Sequence, residues 1–267
     1  MTWEWFRGEF SSWAEAAARS GTYADRAILE RVVAASREVR DGRAAFERDG
    51  FAFTEPRQNQ PFLAAAFRAA DAAGGELRVI DFGGALGSLY WQHREAFRGL
   101  RHLQWKVVEQ EAYVAAGRRE FETAALSFWP DLRSACDGPR ANLAVLSSVV
   151  QYVPDPYAVI DAVVRLEPAW LFFDRLPLIA GPTDRLTIEH VPPDVGAETY
   201  PAWFLSEERF LKAVGARYRM VDRFRTYLEG GSESWDVFGT TVDNQGFLFS
   251  LGEAGPGSRA APRERPR

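Results

Sequence analysis

The sequence predicts an α/β fold, a mainly parallel sheet with helices between its strands. Short apolar runs at residues 77–80, 105–108, 143–146 and 170–173 have strand length, and helix-length stretches separate them. The first run ends at Asp81 and passes through Gly83, Gly84 and Gly87 into a helical pattern. A strand, a Gly-rich turn and a helix start form a nucleotide cradle.

Residues 1–75 read as a helical cap. Ser12 and Glu15 have capping-box spacing ahead of Ala16, and Gly21 ends that helix. Ile28, Leu29, Val32, Val33 and Val39 recur at helical spacing between Asp25 and Arg40. Pro61 suits a first turn, Phe62, Leu63, Ala66, Phe67 and Ala70 make an apolar stripe, and Gly74-Gly75 stops it. Trp3, Trp5, Phe6 and Trp13 crowd the start of the chain, either to pack the cap onto the main body or to cover a ligand pocket.

Glycine at the turn lets a ligand approach the backbone and tolerates positive φ. Asp81 would repel a pyrophosphate and attract a cation. S-adenosylmethionine (SAM), with its ammonium and sulfonium groups, fits that sign. Here the chain resembles the class I SAM-dependent methyltransferases, whose first motif is Asp-x-Gly-x-Gly-x-Gly. This chain departs from the motif at Ala85. The resemblance implies a Rossmann-like, mainly parallel seven-stranded sheet with helices on both faces, spanning residues 76–251.

An acid at the tip of the second strand, Glu109, can accept from both ribose hydroxyls, with Gln110 beside it. The resemblance places the loop after the third strand against adenine, with Asp131 as acceptor from the amine and Leu132 or Trp129 on the ring. The stretch Leu146-Ser-Ser-Val-Val-Gln-Tyr-Val-Pro-Asp-Pro156 is similar to the fourth strand and following turn of small-molecule methyltransferases. There Ser147 and Gln151 are cofactor candidates, and Gln151-Tyr152 replaces a frequent His-His pair, removing an imidazole base. Asp155 and Pro156 start the next helix. Further stretches, Ile28-Leu-Glu-Arg31, Asp184-Arg-Leu-Thr187 and Ser206-Glu-Glu-Arg209, resemble bacterial methyltransferases encoded near surface-polysaccharide or secondary-metabolite genes.

The fifth strand ends in Asp174-Arg175, at the edge where open α/β sheets bind ligands. Asp174 is a candidate base, or else holds Arg175 for substrate. Residues 176–205 are Pro-rich and are expected to form a long acceptor loop. His190 is a second candidate base, Tyr152 a third catalytic candidate, and Tyr200 and Trp203 candidate substrate contacts. Ser206 caps a helix ending at Gly215, segments near Tyr218 and Phe247 form an antiparallel pair, Gly230-Gly231-Ser232 is a flexible crossing, and residues 252–267 read as a disordered tail.

Net charge is −5, which argues against general nucleic-acid or anionic-membrane binding. The single cysteine, Cys136, leaves no disulfide framework or cysteine-based zinc site within one chain. No membrane span, no signal peptide and no bound metal are expected. The expectation is a cytoplasmic monomer or homodimer that methylates a small molecule or a glycan precursor, such as a sugar or nucleotide-sugar hydroxyl. The alternatives are SAM chemistry that releases methylthioadenosine, a nicotinamide oxidoreductase, and an inactive SAM-binding module.

Overall fold

The computed structural model describes residues 3–193, 195–226 and 234–252. The expected crossing at residues 230–232 and the tail from 253 lie outside the described residues. The N-terminal segment consists of β1 (Phe6–Phe10), α1 (Trp13–Ala17), α2 (Arg26–Arg40), β2 (Phe46–Arg48), β3 (Phe51–Phe53) and α3 (Gln60–Ala72). The helix starts follow the sequence. Ser12 accepts from Glu15 N at 3.3 Å, Asp25 from Ala27 N at 2.8 Å and Asn59 from Phe62 N at 3.1 Å.

This segment is not wholly helical, which corrects the expected cap. Asp49 (φ 52°) and Gly50 (φ 82°) turn β2 into β3 as an antiparallel hairpin, and Phe46 and Phe53 stack across it at 4.7 Å. Asp-Gly flanked by aromatics is itself a hairpin signal. The pairing of β1 with a strand far down the chain has no such local signal.

After α3 come β4 (Glu76–Phe82), α4 (Ser88–His93), β5 (His102–Val108), α5 (Glu111–Glu120), β6 (Leu126–Trp129), α6 (Leu132–Ala135), β7 (Leu143–Ser147), α7 (Pro156–Arg165) and β8 (Trp170–Ile179). Their strands lie in the order β6-β5-β4-β7-β8, all parallel. The chain ends with β9 (Arg185–His190), β10 (Thr199–Ser206), α8 (Glu207–Val214), β11 (Tyr218–Arg225), β12 (Ser234–Val237) and β13 (Thr240–Leu251). β13 runs antiparallel between β8 and β11. The result is the expected Rossmann-like arrangement, with β13 the reversed strand of the seven.

Period-two alternation sorts the strand side chains into two cores. Leu77, Val79, Trp105, Val107 and Phe172 pack with α2, α3, α4 and α5. Ala144, Leu146, Leu171, Phe173 and Phe247 pack with α7 and α8 on the other face. The strand order reverses between β4 and β7, which opens a crevice at their carboxyl ends.

Residues 176–205 are not the expected loop. β8 runs on to Ile179, and β9 and β10 form an antiparallel hairpin whose free edge is covered by β1. Leu186 and Ile188 alternate into a small core with Ala16. The prolines masked that alternation, yet Pro192 and Pro193 lie in the connection between the two strands. Asp184 fixes the start of this hairpin. It accepts from Tyr157 Oη and Ser206 N, each at 2.7 Å, and pairs with Arg209. Losing charged hydrogen bonds there costs about 2–3 kcal/mol. Asp184→Ala therefore lowers the urea midpoint by that equivalent with an unchanged denaturant slope, a result chemical denaturation reads directly.

Candidate functional site

Beyond β4 the chain turns through Gly83 (φ 72°), Gly84, Ala85 (φ 51°) and Gly87 (φ 86°) into α4. A Cβ on Gly83 would lie 2.2 Å from Val149 Cγ2, so the turn packs directly on the exit of β7. A Cβ on Gly84 would lie 2.4 Å from an Asp81 carboxylate oxygen, so the acid sits immediately beneath the turn. Ala85 occupies the left-handed region at a cost of about 1–2 kcal/mol. Its N–H donates to Glu109 Oε1 at 3.3 Å, which ties the turn to the next strand tip.

Asp81 is 1% exposed and accepts from Trp105 Nε1 at 3.0 Å. Burial pushes its carboxyl up to about 7. Glu109 accepts from Ala85 N and, at 2.8 Å, from Gln110 N. Burial, with Asp81's charge adding, pushes it up to about 7 as well. No lysine, arginine or histidine pairs with either acid among the described residues. Two neighbouring carboxyls held near neutrality without a counter-ion form a receptor for a cation and for hydroxyl donors.

The other expected cofactor residues fall around this centre. Ser147 ends β7, in register with Asp174. Gln110 precedes α5 with its side chain exposed. Asp131 caps α6, accepting from Ser134 N at 2.8 Å through Oδ1, while Leu132 is partly buried against the sheet. Gln151 is buried. Its Nε2 donates to Ser148 Oγ and to Arg175 O, and its Oε1 has no partner among the described residues.

A cavity of about 770 Å³ lies over the ends of β7 and β8. Ser148, Gln151 and Arg175 line it together with Tyr152, Glu189 and Tyr200. Trp203 also lines it, stacked on Trp13 at 6.4 Å, with its Nε1 donating to Val153 O. The glycine turn, Asp81 and Glu109 lie outside this lining, and the turn packs on Val149, the chain neighbour of the lining residue Ser148. Tyr23, Tyr152 and Tyr200 contact one another with ring centroids 5.3–5.9 Å apart.

The three catalytic candidates occupy unlike positions. Tyr152 Oη donates to Glu189 Oε2 at 2.7 Å, and burial raises its phenol well above the usual range, so it serves as a donor at neutral pH. His190 does not line the cavity; its N–H donates to Trp5 O at 2.6 Å, and partial burial lowers its imidazole. Strand alternation turns its neighbour Glu189 inward instead. Nothing in the sequence singled out Glu189, because the face of β9 is set by its pairing with β1 and β10.

Asp174 also stays out of the lining. Its carboxylate accepts from Arg175 N at 2.9 Å, Thr226 Oγ1 at 2.8 Å and Asn59 Nδ2 at 3.0 Å. Asn59 N donates in turn to His93 Nε2 at 3.1 Å, so His93 Nδ1 carries the proton toward Leu89 O. Burial pushes His93 down to about 4, keeping the ring neutral. Asp174 thus holds the backbone N–H of Arg175 and carries three hydrogen bonds of its own.

No family model matches the chain, and no curated protein matches it. Among solved structures, it is similar to a SAM-dependent methyltransferase from Clostridium acetobutylicum ATCC 824, with 11% identity over 74% of this chain and 93% of that one at a TM-score of 0.47. It is similar to 1,6-didemethyltoxoflavin-N1-methyltransferase from Burkholderia thailandensis, with 16% identity over 92% and 93% at 0.47. It is also similar to magnesium protoporphyrin IX methyltransferase from Synechocystis PCC 6803, with 13% identity over 72% and 81% at 0.47. These likenesses are remote, and the fold stands on the strand order given above. Among the described residues no helix is long and apolar enough to cross a membrane, and no three metal-ligating side chains gather.

Because Gly83 abuts Val149 and requires a positive φ, Gly83→Ala displaces the turn. The expected outcome is a folded protein, unchanged in far-UV circular dichroism, whose SAM affinity falls at least tenfold by calorimetry.

Proposed function

We propose that the chain is a SAM-dependent methyltransferase acting on a small-molecule acceptor, and that it methylates a hydroxyl oxygen. A sugar or nucleotide-sugar hydroxyl is the first class to test. The observation that carries this is the pair of buried acids, Asp81 and Glu109, flanking a glycine turn beside the topological switch point, with no cationic partner among the described residues. The fit to SAM is specific in sign and in space. The missing Cβ atoms at Gly83 and Gly84 leave the backbone bare, and the two acids match an ammonium group and a pair of ribose hydroxyls.

When bound, SAM supplies an electrophilic methyl carbon on a sulfonium. The chain's own contribution is alignment. Asp81 takes the amino-acid end, Glu109 the ribose, and Ser147 and Gln151 lie toward the reacting end. Tyr152, Tyr200 and Trp203 enclose the acceptor and exclude water. Alignment of this kind supplies several kcal/mol, up to about 7–11 in the best cases. A hydroxyl acceptor must lose a proton as its oxygen bonds to carbon, and Glu189, held by the Tyr152 phenol, is one of the carboxylates on the cavity wall and the one beside Tyr152 to receive it. The protein would work in the cytoplasm as a monomer or homodimer, without nucleic acid.

Asp81 must be ionised to hold the ammonium and Glu109 to accept from both ribose hydroxyls, yet each keeps its proton up to about pH 7. SAM affinity should therefore rise with pH between 6 and 8, by up to about tenfold per unit for each group. Calorimetry in buffers of differing ionisation enthalpy should show proton release on binding. Chromatography of turnover mixtures should show S-adenosylhomocysteine (SAH); methylthioadenosine in its place would contradict methyl transfer.

A further inference from the structure

We propose that Arg175 is the anchor for an anionic group, a carboxylate or phosphate, on the acceptor molecule; this rests on the methyltransferase function proposed above. Arg175 is 5% exposed and lines the cavity, and no carboxylate pairs with its guanidinium among the described residues. Its Nη2 is buried and has no hydrogen-bond partner among the described residues. On the same cavity wall Arg31 is paired with Glu198 at 2.6 Å, whereas none of the other lining carboxylates, Glu4, Asp49, Glu189 and Asp236, forms an ion pair with Arg175 among the described residues. A buried guanidinium without one is costly, and a ligand anion removes the cost.

The residue is also pre-set. Its φ of 57° is left-handed, which a non-glycine adopts only under constraint. Three hydrogen bonds impose it: Arg175 N donates to Asp174 Oδ1 and to Thr226 Oγ1, and Arg175 O accepts from Gln151 Nε2. Strain held by a dedicated network marks a place where position matters, and pre-organisation lowers the cost of binding. A planar guanidinium matches a carboxylate or phosphate edge.

Gln151 adds a second requirement. With Nε2 spent on Ser148 and Arg175, its buried Oε1 needs a donor. The ligand class is thus an anionic hydroxy compound. A cavity of about 770 Å³ admits one of sugar-phosphate or hydroxy-aromatic-acid size. SAM carries a carboxylate too, but Arg175 shares its cavity with Glu189, Tyr200 and Trp203, and the glycine turn, Asp81 and Glu109 lie outside that lining.

The test is calorimetry on SAH-saturated protein with matched pairs: glucose 6-phosphate against glucose, and 4-hydroxybenzoate against 4-hydroxybenzyl alcohol. In the parent protein, the anionic member of at least one pair should bind at least tenfold more tightly. Arg175→Gln should abolish that preference and Arg175→Lys should retain part of it. Equal binding within both pairs in the parent, or a preference that survives Arg175→Gln, overturns the proposal. Should Arg175→Gln fail to fold, the parent pairs and Arg175→Lys still decide. SAH and methylthioadenosine, which lacks the carboxylate, are titrated alongside; loss of the preference for SAH in Arg175→Gln would assign the guanidinium to the cofactor and overturn the proposal. A parent that binds no SAH refutes the methyltransferase function instead, and the same pairs without SAH then judge Arg175.

Discussion

The carboxyl edge of this sheet is built around two buried acids that no cationic side chain compensates among the described residues. Asp81 and Glu109 are each pushed up to about 7, mainly by loss of water. A carboxyl raised in the folded state binds more protons there than in the unfolded chain. Each acid therefore makes the ligand-free fold lose stability as pH rises from the ordinary carboxyl range to about 7. His93, lowered to about 4, works the other way, and its contribution is lost as pH falls from about 6.5 toward 4. The two acids thus carry an electrostatic burden that a bound cation would relieve. A fold selected only for stability would have placed a lysine, an arginine or an apolar residue there.

The N-terminal segment belongs to the same device. β1 closes the edge of the β9–β10 hairpin, Trp3 Nε1 donates to His190 O, and Trp13 stacks on Trp203. Asn59 links the start of α3 to Asp174, and through it to the backbone of Arg175. On the other side, Glu47 in the β2–β3 hairpin accepts from Ser88 Oγ at the start of α4 and from Gly50 N. Trp3, Trp5 and Phe6 line the cavity as well as packing on the main body, where Phe6 meets Phe204 edge-on at 4.8 Å.

What the sequence made legible was local. Apolar runs, caps and the glycine turn identify β4, β5, β7 and β8 and the helices between them, because each follows from nearest-neighbour chemistry. The acids at strand tips were legible for the same reason, since a strand's end fixes where its last side chain lies. The β9–β10 hairpin, its pairing with β1 and the inward turn of Glu189 were not, because long-range pairing decides them. Asp131 shows the converse: a Pro-Asp pair explains itself as a helix cap, and the structure uses its carboxylate that way. Asp49-Gly50 is a local signal too, and the β2–β3 hairpin turns on it.

The most direct measurement is the SAM dissociation constant of Asp81→Asn and Glu109→Gln beside the parent at pH 8, where both acids are ionised. If the two strand-tip carboxylates grip a positively charged nucleoside, each substitution weakens binding by at least tenfold while the thermal midpoint of the empty protein holds or rises. Affinities equal to the parent's in both variants would contradict the account.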